Sequence, residues 1–360
     1  MRFEPLDRPV RVETLGFWNE TIERWHGEGL PPEVADDLGA LLYFGVDMQM
    51  PVNLEPDLQP GFFPLFDEEV IEEDERFTIK RDIKGAVVKV FTDASSGIPG
   101  LVEPPITDEA NWEEIKWRLD PDSPGRLEPW TPLIEATKTE PIPLSVFICG
   151  LFGTHRHLLG FTGLMLAYRK QPRLLHKIAR HWVDFWKGVV SRISDIRTPD
   201  LVSLWEDMAY RNGPMIGPAA FEEFMLPYYN ELISFLQGDL GVPVIGVDTD
   251  GKMTPLIPLF IEAGVNLIYP FEVQAGMDVV KIRERWPRDF VIWGGIDKRA
   301  LALDRRTIEE EVMRVVPPML RKGGYVPALD HLVPPDVPLE NWRYFLELVR
   351  ETGERVCREG

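Results

Sequence analysis

From Pro141 onward the chain settles into one rhythm, in which short runs of β-branched and aromatic residues alternate with longer stretches of helical periodicity. The runs are Leu144–Cys149, Leu201–Trp205, Pro243–Val247, Asn266–Tyr269, Phe290–Trp293 and Tyr325–Leu329. Spacings this long do not suit hairpins; they suit parallel strands, which need a crossover between neighbours. Between the runs, Leu175, Ile178, Trp182, Phe185 and Val189 form one apolar stripe, and Ile308, Val312, Val315, Val316 and Met319 form another. The spacing Thr307-x-x-Glu310 predicts a capping box at the start of the second. Trp342, Phe345, Leu346 and Val349 mark a last helix. Six such strands, with two more from the N-terminal part, predict an α/β fold: a single (β/α)8 TIM barrel with an N-terminal elaboration. An open doubly wound sheet is the alternative, but no glycine fingerprint follows an early strand.

The elaboration covers residues 1–140 and residues 141–360 carry the main β/α units, all as one domain, because no clean linker separates them. A helix is expected from Phe17 to His26, stopped by Gly27, Gly29 and a Pro-Pro pair. Leu41–Val46 is an apolar run ending at Asp47, and Phe77–Phe91 alternates on both sides of Lys84-Gly85, as a β-hairpin does. Proline-rich segments at Pro51–Pro64 and Pro121–Pro132 read as loops.

Composition removes several function classes. With 39 basic against 59 acidic residues the net charge is −20, which repels a phosphate backbone, so no nucleic-acid partner is expected. Two cysteines, Cys149 and Cys357, give neither a disulfide framework nor a Cys-rich zinc site and suit a reducing cytoplasm. The start, MRFEPLDRPV, lacks the basic and apolar regions of a signal peptide, and the longest apolar stretch, Leu144–Phe152, is too short to span a bilayer. A soluble cytoplasmic protein is the expectation.

The functional signal lies just after each strand. Leu201–Trp205 is followed by Glu206-Asp207, and Pro243–Val247 by Asp248-Thr-Asp250-Gly251. Asn266–Tyr269 leads to Glu272, Phe290–Trp293 to Asp297, Tyr325–Leu329 to Asp330-His331, and Leu144–Cys149 to His155 and His157. In a barrel these ends share one face, where active sites form. Each residue also has a structural reading: Asp250-Gly251 as a turn, Asp297 as a helix cap, Glu206 as an arginine partner, and both histidines in a solvated loop. Taken together, closely placed acids repel unless a cation, a proton or a basic substrate compensates them. In one chemical reading Asp248, Asp250 and His331 hold a divalent metal, zinc or similar. In the other, carboxylates with raised pKa exchange protons with a small-molecule substrate, and His331 shuttles protons near neutral pH.

These segments resemble the uroporphyrinogen decarboxylase superfamily, which includes methyltransferases acting on corrinoid-bound methyl groups. The resemblance rests on WEDMAYRNGPMIGPAAFEEFMLPYY (Trp205–Tyr229), VDTDGKMTPLIPLFIEAGVNLIYPFE (Val247–Glu272), GGIDKRAL (Gly294–Leu301) and DHLVPPDVPLENW (Asp330–Trp342). It implies a (β/α)8 barrel with a deep mouth. Carried over position by position, Asp47 in LLYFGVD resembles the decarboxylase's essential aspartate, and His331 its C-terminal histidine. His157 falls near that enzyme's active-site tyrosine, and Asp207 where it has a serine. Where the decarboxylase has an arginine-rich segment that grips substrate carboxylates, this chain reads TLGFWNETIERW.

The methyltransferase branch holds zinc with a His-x-Cys-Gly motif and a later cysteine; here Asp248-Thr249-Asp250-Gly251 and His331 stand at those places, so hard oxygen ligands replace soft thiolates. The expected catalytic residues are therefore Asp47, His157, Asp207 and His331, with Glu206, Glu272 and Asp297 for substrate. Methyl transfer or demethylation involving a corrinoid on a partner protein is the leading expectation, and decarboxylation of a porphyrinogen the second. A non-catalytic ligand-binding barrel is the third, and a homodimer follows from the resemblance.

Overall fold

The computed structural model describes residues 3, 8–13, 15–47, 49–53, 59–92 and 99–359. The chain divides into two compact units, one of Met50–Glu206 with Pro218–Pro243, the other of Met1–Gln49, Asp207–Gly217 and Val244–Gly360.

The first unit holds strands β1 (Met50–Asn53), β2 (Glu69–Glu73), β3 (Phe77–Arg81), β4 (Val87–Phe91), β5 (Gly100–Glu103), β6 (Leu144–Cys149) and β7 (Leu201–Trp205). β1, β6 and β7 run parallel, with Val52, Val146 and Val202 side by side and fully buried. The expected stripe is realised in the helix Pro172–Ser194, where Leu175, Ile178, Trp182, Phe185 and Val189 are buried. Trp182 Nε1 donates to the Cys149 carbonyl at 3.0 Å and ties that helix to the end of β6. The hairpin is β3–β4, turned at Gly85 with φ +82°, and β2 and β5 extend it to four antiparallel strands. Of the first proline-rich segment, Pro51–Asn53 belong to β1, a strand where a loop was expected, and residues 54–58 lie outside the described residues. The second segment runs into a short helix, Thr131–Ala136.

The second unit adds the short pair β8 (Ala209–Tyr210) and β9 (Gly213–Pro214), then the parallel strands β10 (Val244–Asp248), β11 (Leu267–Tyr269), β12 (Val291–Trp293) and β13 (Tyr325–Val326). Val247, Ile268, Ile292 and Tyr325 lie in register across these four. β13 is shorter than the run Tyr325–Leu329, although Leu329 still bridges Ile296. The N-terminal helix spans Asn19–Gly27, and Phe17 and Trp25 pack with Phe44 and Trp342 in an aromatic cluster.

One apolar run takes a definite form here, and one local expectation, the capping box, is corrected. Leu41–Phe44 is the second half of the helix Asp37–Phe44, which Asp36 caps and Gly45 ends at φ +66°; a short apolar run carries no period of its own. The helix Arg305–Lys322 is capped by Asp304, which accepts from Thr307 N, while Glu310 pairs with Arg306, so Thr307 and Glu310 form no capping box. No helix among the described residues is long and apolar enough to cross a membrane.

Candidate functional site

β10 ends at Asp248, and Thr249 N donates to the Tyr269 carbonyl at 3.1 Å. The chain then turns at Gly251, φ +76°, where a Cβ would stand 2.7 Å from the backbone of Ala209, so only glycine fits. The Gly251 N–H donates to Glu272 Oε2 at 2.8 Å, joining the β10 and β11 loops. His331, beyond β13, places Nε2 3.2 Å from Asp250 Oδ2. One ligand-type atom each from Asp250, Glu272 and His331 lies within 4.8 Å of the other two. Asp250 Oδ1 is shielded from solvent and has no hydrogen-bond partner among the described residues.

This group is close to the expected one, with one exchange. Glu272, read from sequence as a substrate contact, stands where Asp248 was expected beside Asp250 and His331. Strand alternation puts residues i and i+2 on one face only while the chain stays extended, and it does not continue through the turn at Gly251. Asp248 is buried instead, and burial, with Asp250 and Asp207 adding repulsion, holds its carboxyl well above the usual range. Asp207 has φ +43°, an unusual backbone for a non-glycine residue, and its N–H points to the Asp248 carbonyl at 3.5 Å.

Asp330 escaped notice as a site residue. It is 1% exposed, and its carboxylate accepts from Val273 N at 2.9 Å and Lys298 N at 3.0 Å. One side chain beside His331 thus fixes the loop carrying Glu272 and the loop after β12. Burial pushes its carboxyl up to about 6 against the pull of those N–H groups. The signal available in sequence was its place next to His331 at a strand end.

The remaining candidates have other partners. Glu206, in the first unit, accepts from Leu151, Phe152 and Gly153 N–H at 3.0, 2.8 and 3.1 Å and so caps the helix Leu151–Lys170. Burial pushes its carboxyl up to about 8. His157, half-buried, stacks on Trp205 at 5.6 Å, and burial pushes its imidazole down to about 3; His155 is fully buried, and both lie in the helix Leu151–Lys170, not in a solvated loop. In the second unit Asp297 accepts from the Arg299 N–H and pairs with its guanidinium at 2.6 Å, the capping role weighed from sequence. Asp47 is gripped by Arg8 at 2.7 and 2.8 Å and by Arg11 N at 2.8 Å.

The zinc of the methyltransferase branch does not fit this donor set. Two carboxylates and an imidazole replace the thiolates, and His331 Nδ1 accepts the Leu332 N–H at 2.8 Å. That leaves the ring proton on Nε2, the atom that would have to bind the metal. The fold itself recurs in a methyltransferase from Methanosarcina mazei, with a TM-score of 0.61 over 97% of this chain and 96% of that one at 16% identity. Sequence similarity extends to the uroporphyrinogen decarboxylases of Syntrophotalea carbinolica, 28% identical over 138 residues, and Thermus thermophilus, 27% over 148. Each match spans 38% of this chain and 38% of the relative, well under half of either. The family model described as uroporphyrinogen decarboxylase (URO-D) matches residues 86–352, far more than half of the sequence, and the chain belongs to that family.

Proposed function

We propose that the chain is an enzyme working at Asp250, Glu272 and His331, and that it transfers or removes a methyl group with a corrinoid protein as partner. The observation that carries this reading is the charge of the group. Among the described residues the hydrogen-bond partners of its three side chains are its own members and the backbone N–H groups of Gly251 and Leu332; no arginine or lysine is among them. A substrate bearing many carboxylates needs cationic clamps, whereas a neutral or cationic methyl donor suits acids. The reading takes the parallel strands as parts of a closed (β/α)8 barrel and the protein as cytoplasmic.

In this reaction the methyl group leaves its heteroatom without the bonding electron pair and passes to the partner's nucleophilic corrinoid. The heteroatom keeps the pair and takes a proton. Asp248, whose protonated form is favoured by burial among acids, is the proton source, while Asp250 and Glu272 face the donor.

The test is to mix the protein with reduced cobalamin and, in turn, a methylated amine and an aryl methyl ether, following the corrinoid spectrum. Methylation that disappears in Asp250→Ala is the expected result. Decarboxylation of a porphyrinogen is the second reading, favoured by the family match. Turnover of uroporphyrinogen with no methyl transfer selects it, and with it Asp47, His157, Asp207 and His331 as its candidates. Turnover of neither selects the ligand-binding barrel.

A further inference from the structure

We propose that His331 is fixed by the backbone as a neutral N–H donor to Asp250 and is not a metal ligand, so that any cation taken here has oxygen ligands only. The inference rests on reading this group as the working site, but its test needs no turnover.

Two contacts settle the tautomer together. The Leu332 N–H points at Nδ1 at 2.8 Å, and an N–H has only a proton to offer, so Nδ1 presents its lone pair. A neutral imidazole carries one ring proton, which then sits on Nε2, 3.2 Å from Asp250 Oδ2. The opposite tautomer fails at both ends, setting N–H against N–H and lone pair against carboxylate. The imidazolium fails at the Leu332 end. Turning the ring over puts carbon where each bond now forms. Histidines that bind metals usually donate from the second nitrogen to a carbonyl or carboxylate, and here that nitrogen meets a donor. What remains for a cation is Glu272 and Asp250, whose Oδ1 is buried without a partner among the described residues. Oxygen-only donors suit magnesium- or manganese-type ions over zinc.

The experiment is 15N NMR of the full chain with labelled histidine, the His331 signals among the six histidines being assigned by their loss in His331→Gln. Protonated Nε2 and unprotonated Nδ1, unchanged on adding equimolar Zn2+, is the expected result. A protonated Nδ1, or a Zn2+-induced shift of Nε2, overturns the proposal. Zn2+ and Mn2+ titrations give a second readout: affinities that change by the same factor for both ions in His331→Gln, or not at all, support it, and a preference for Zn2+ over Mn2+ of about tenfold or more that His331→Gln abolishes overturns it, since a nitrogen ligand favours zinc. Leu332→Pro deletes the N–H and should release the Nδ1–H tautomer, while Leu332→Ala should not; if the proline variant does not fold, the wild-type spectrum still decides. A protein that methylates no corrinoid refutes the functional reading and leaves the tautomer result standing.

Discussion

The acids Glu206 and Asp250, one and two residues beyond the ends of β7 and β10, have opposite environments, although both follow an apolar strand. Glu206 is fully buried and spends its carboxylate on three backbone N–H groups at a helix start. Asp250 is half-exposed, holds one contact to His331 through Oδ2, and keeps Oδ1 without a partner among the described residues. A carboxylate that completes a helix end contributes to folding; one whose inner oxygen is left over contributes little there and is available to a ligand. Position after a strand does not distinguish the two; the donors around the carboxylate do.

The sharpest way to break this contrast is a pair of alanine substitutions. Glu206→Ala leaves the buried Phe152 and Gly153 N–H groups without an acceptor, while Leu151 N–H keeps Tyr229 Oη at 3.0 Å, and should cost about 3 kcal/mol, the sum of a lost cap and unsatisfied donors. Asp250→Ala should leave urea stability within about 1 kcal/mol of wild type, because it removes one polar contact and also relieves repulsion among acids. Comparable losses in the two unfolding curves would erase the distinction.

Asp330 lies between these extremes, since it is buried like Glu206 yet stands beside the site. Asp330→Asn turns one acceptor into a donor facing Val273 N or Lys298 N, at a cost of about 1–2 kcal/mol. Amide hydrogen exchange should speed up at one of those two residues and in the loop it anchors. Unchanged protection at both would remove Asp330 as the tie between the loops.

Asp248 sharpens the comparison through pH. Its folded carboxyl titrates well above its usual 3.8, so the folded chain holds a proton that the unfolded chain has lost. Stability from this group is complete below that value and is lost as pH rises toward the folded pKa. Asp248→Asn keeps the shape and does not titrate. Its stability relative to wild type should therefore rise with pH above about 4, by up to about 1.4 kcal/mol per unit. Parallel melting-temperature profiles for the two proteins from pH 4 to 7 would show that Asp248 ionises normally.

The strand rhythm was legible because burial on both faces leaves an unbroken apolar run, and all six expected runs contain a strand. Asp250 and His331 were legible too, as strand-end residues. Glu272 was placed with the wrong companions because its meeting with Asp250 depends on the Gly251 N–H, a backbone bond with no side-chain signature. The Leu332 contact to Nδ1 is of the same kind. Thr307 and Glu310 matched a capping pattern that Asp304 took over, three residues upstream of the threonine. Side-chain patterns report faces and ends, whereas the register of loops is written in backbone donors that every residue but proline supplies.

The smallest effect is expected at Asp47, the carboxylate that the family resemblance ranks highest. It pairs with Arg8, and both side chains are more than a third exposed, which limits the pair to under about 1 kcal/mol. The Arg8 hydrogen bond, outweighing partial burial, holds the Asp47 carboxyl below its usual range, so its contribution is present above about pH 4 and fades as pH falls further. Asp47→Asn should thus be nearly silent in thermal melts at pH 7. In the corrinoid assay it should lose less activity than Asp250→Ala, because a carboxylate already gripped by a guanidinium has little left to offer a methyl donor. A loss as complete as that of Asp250→Ala would mean that Arg8 releases Asp47 when substrate binds, and would return the decarboxylase-type aspartate to the centre of the reaction.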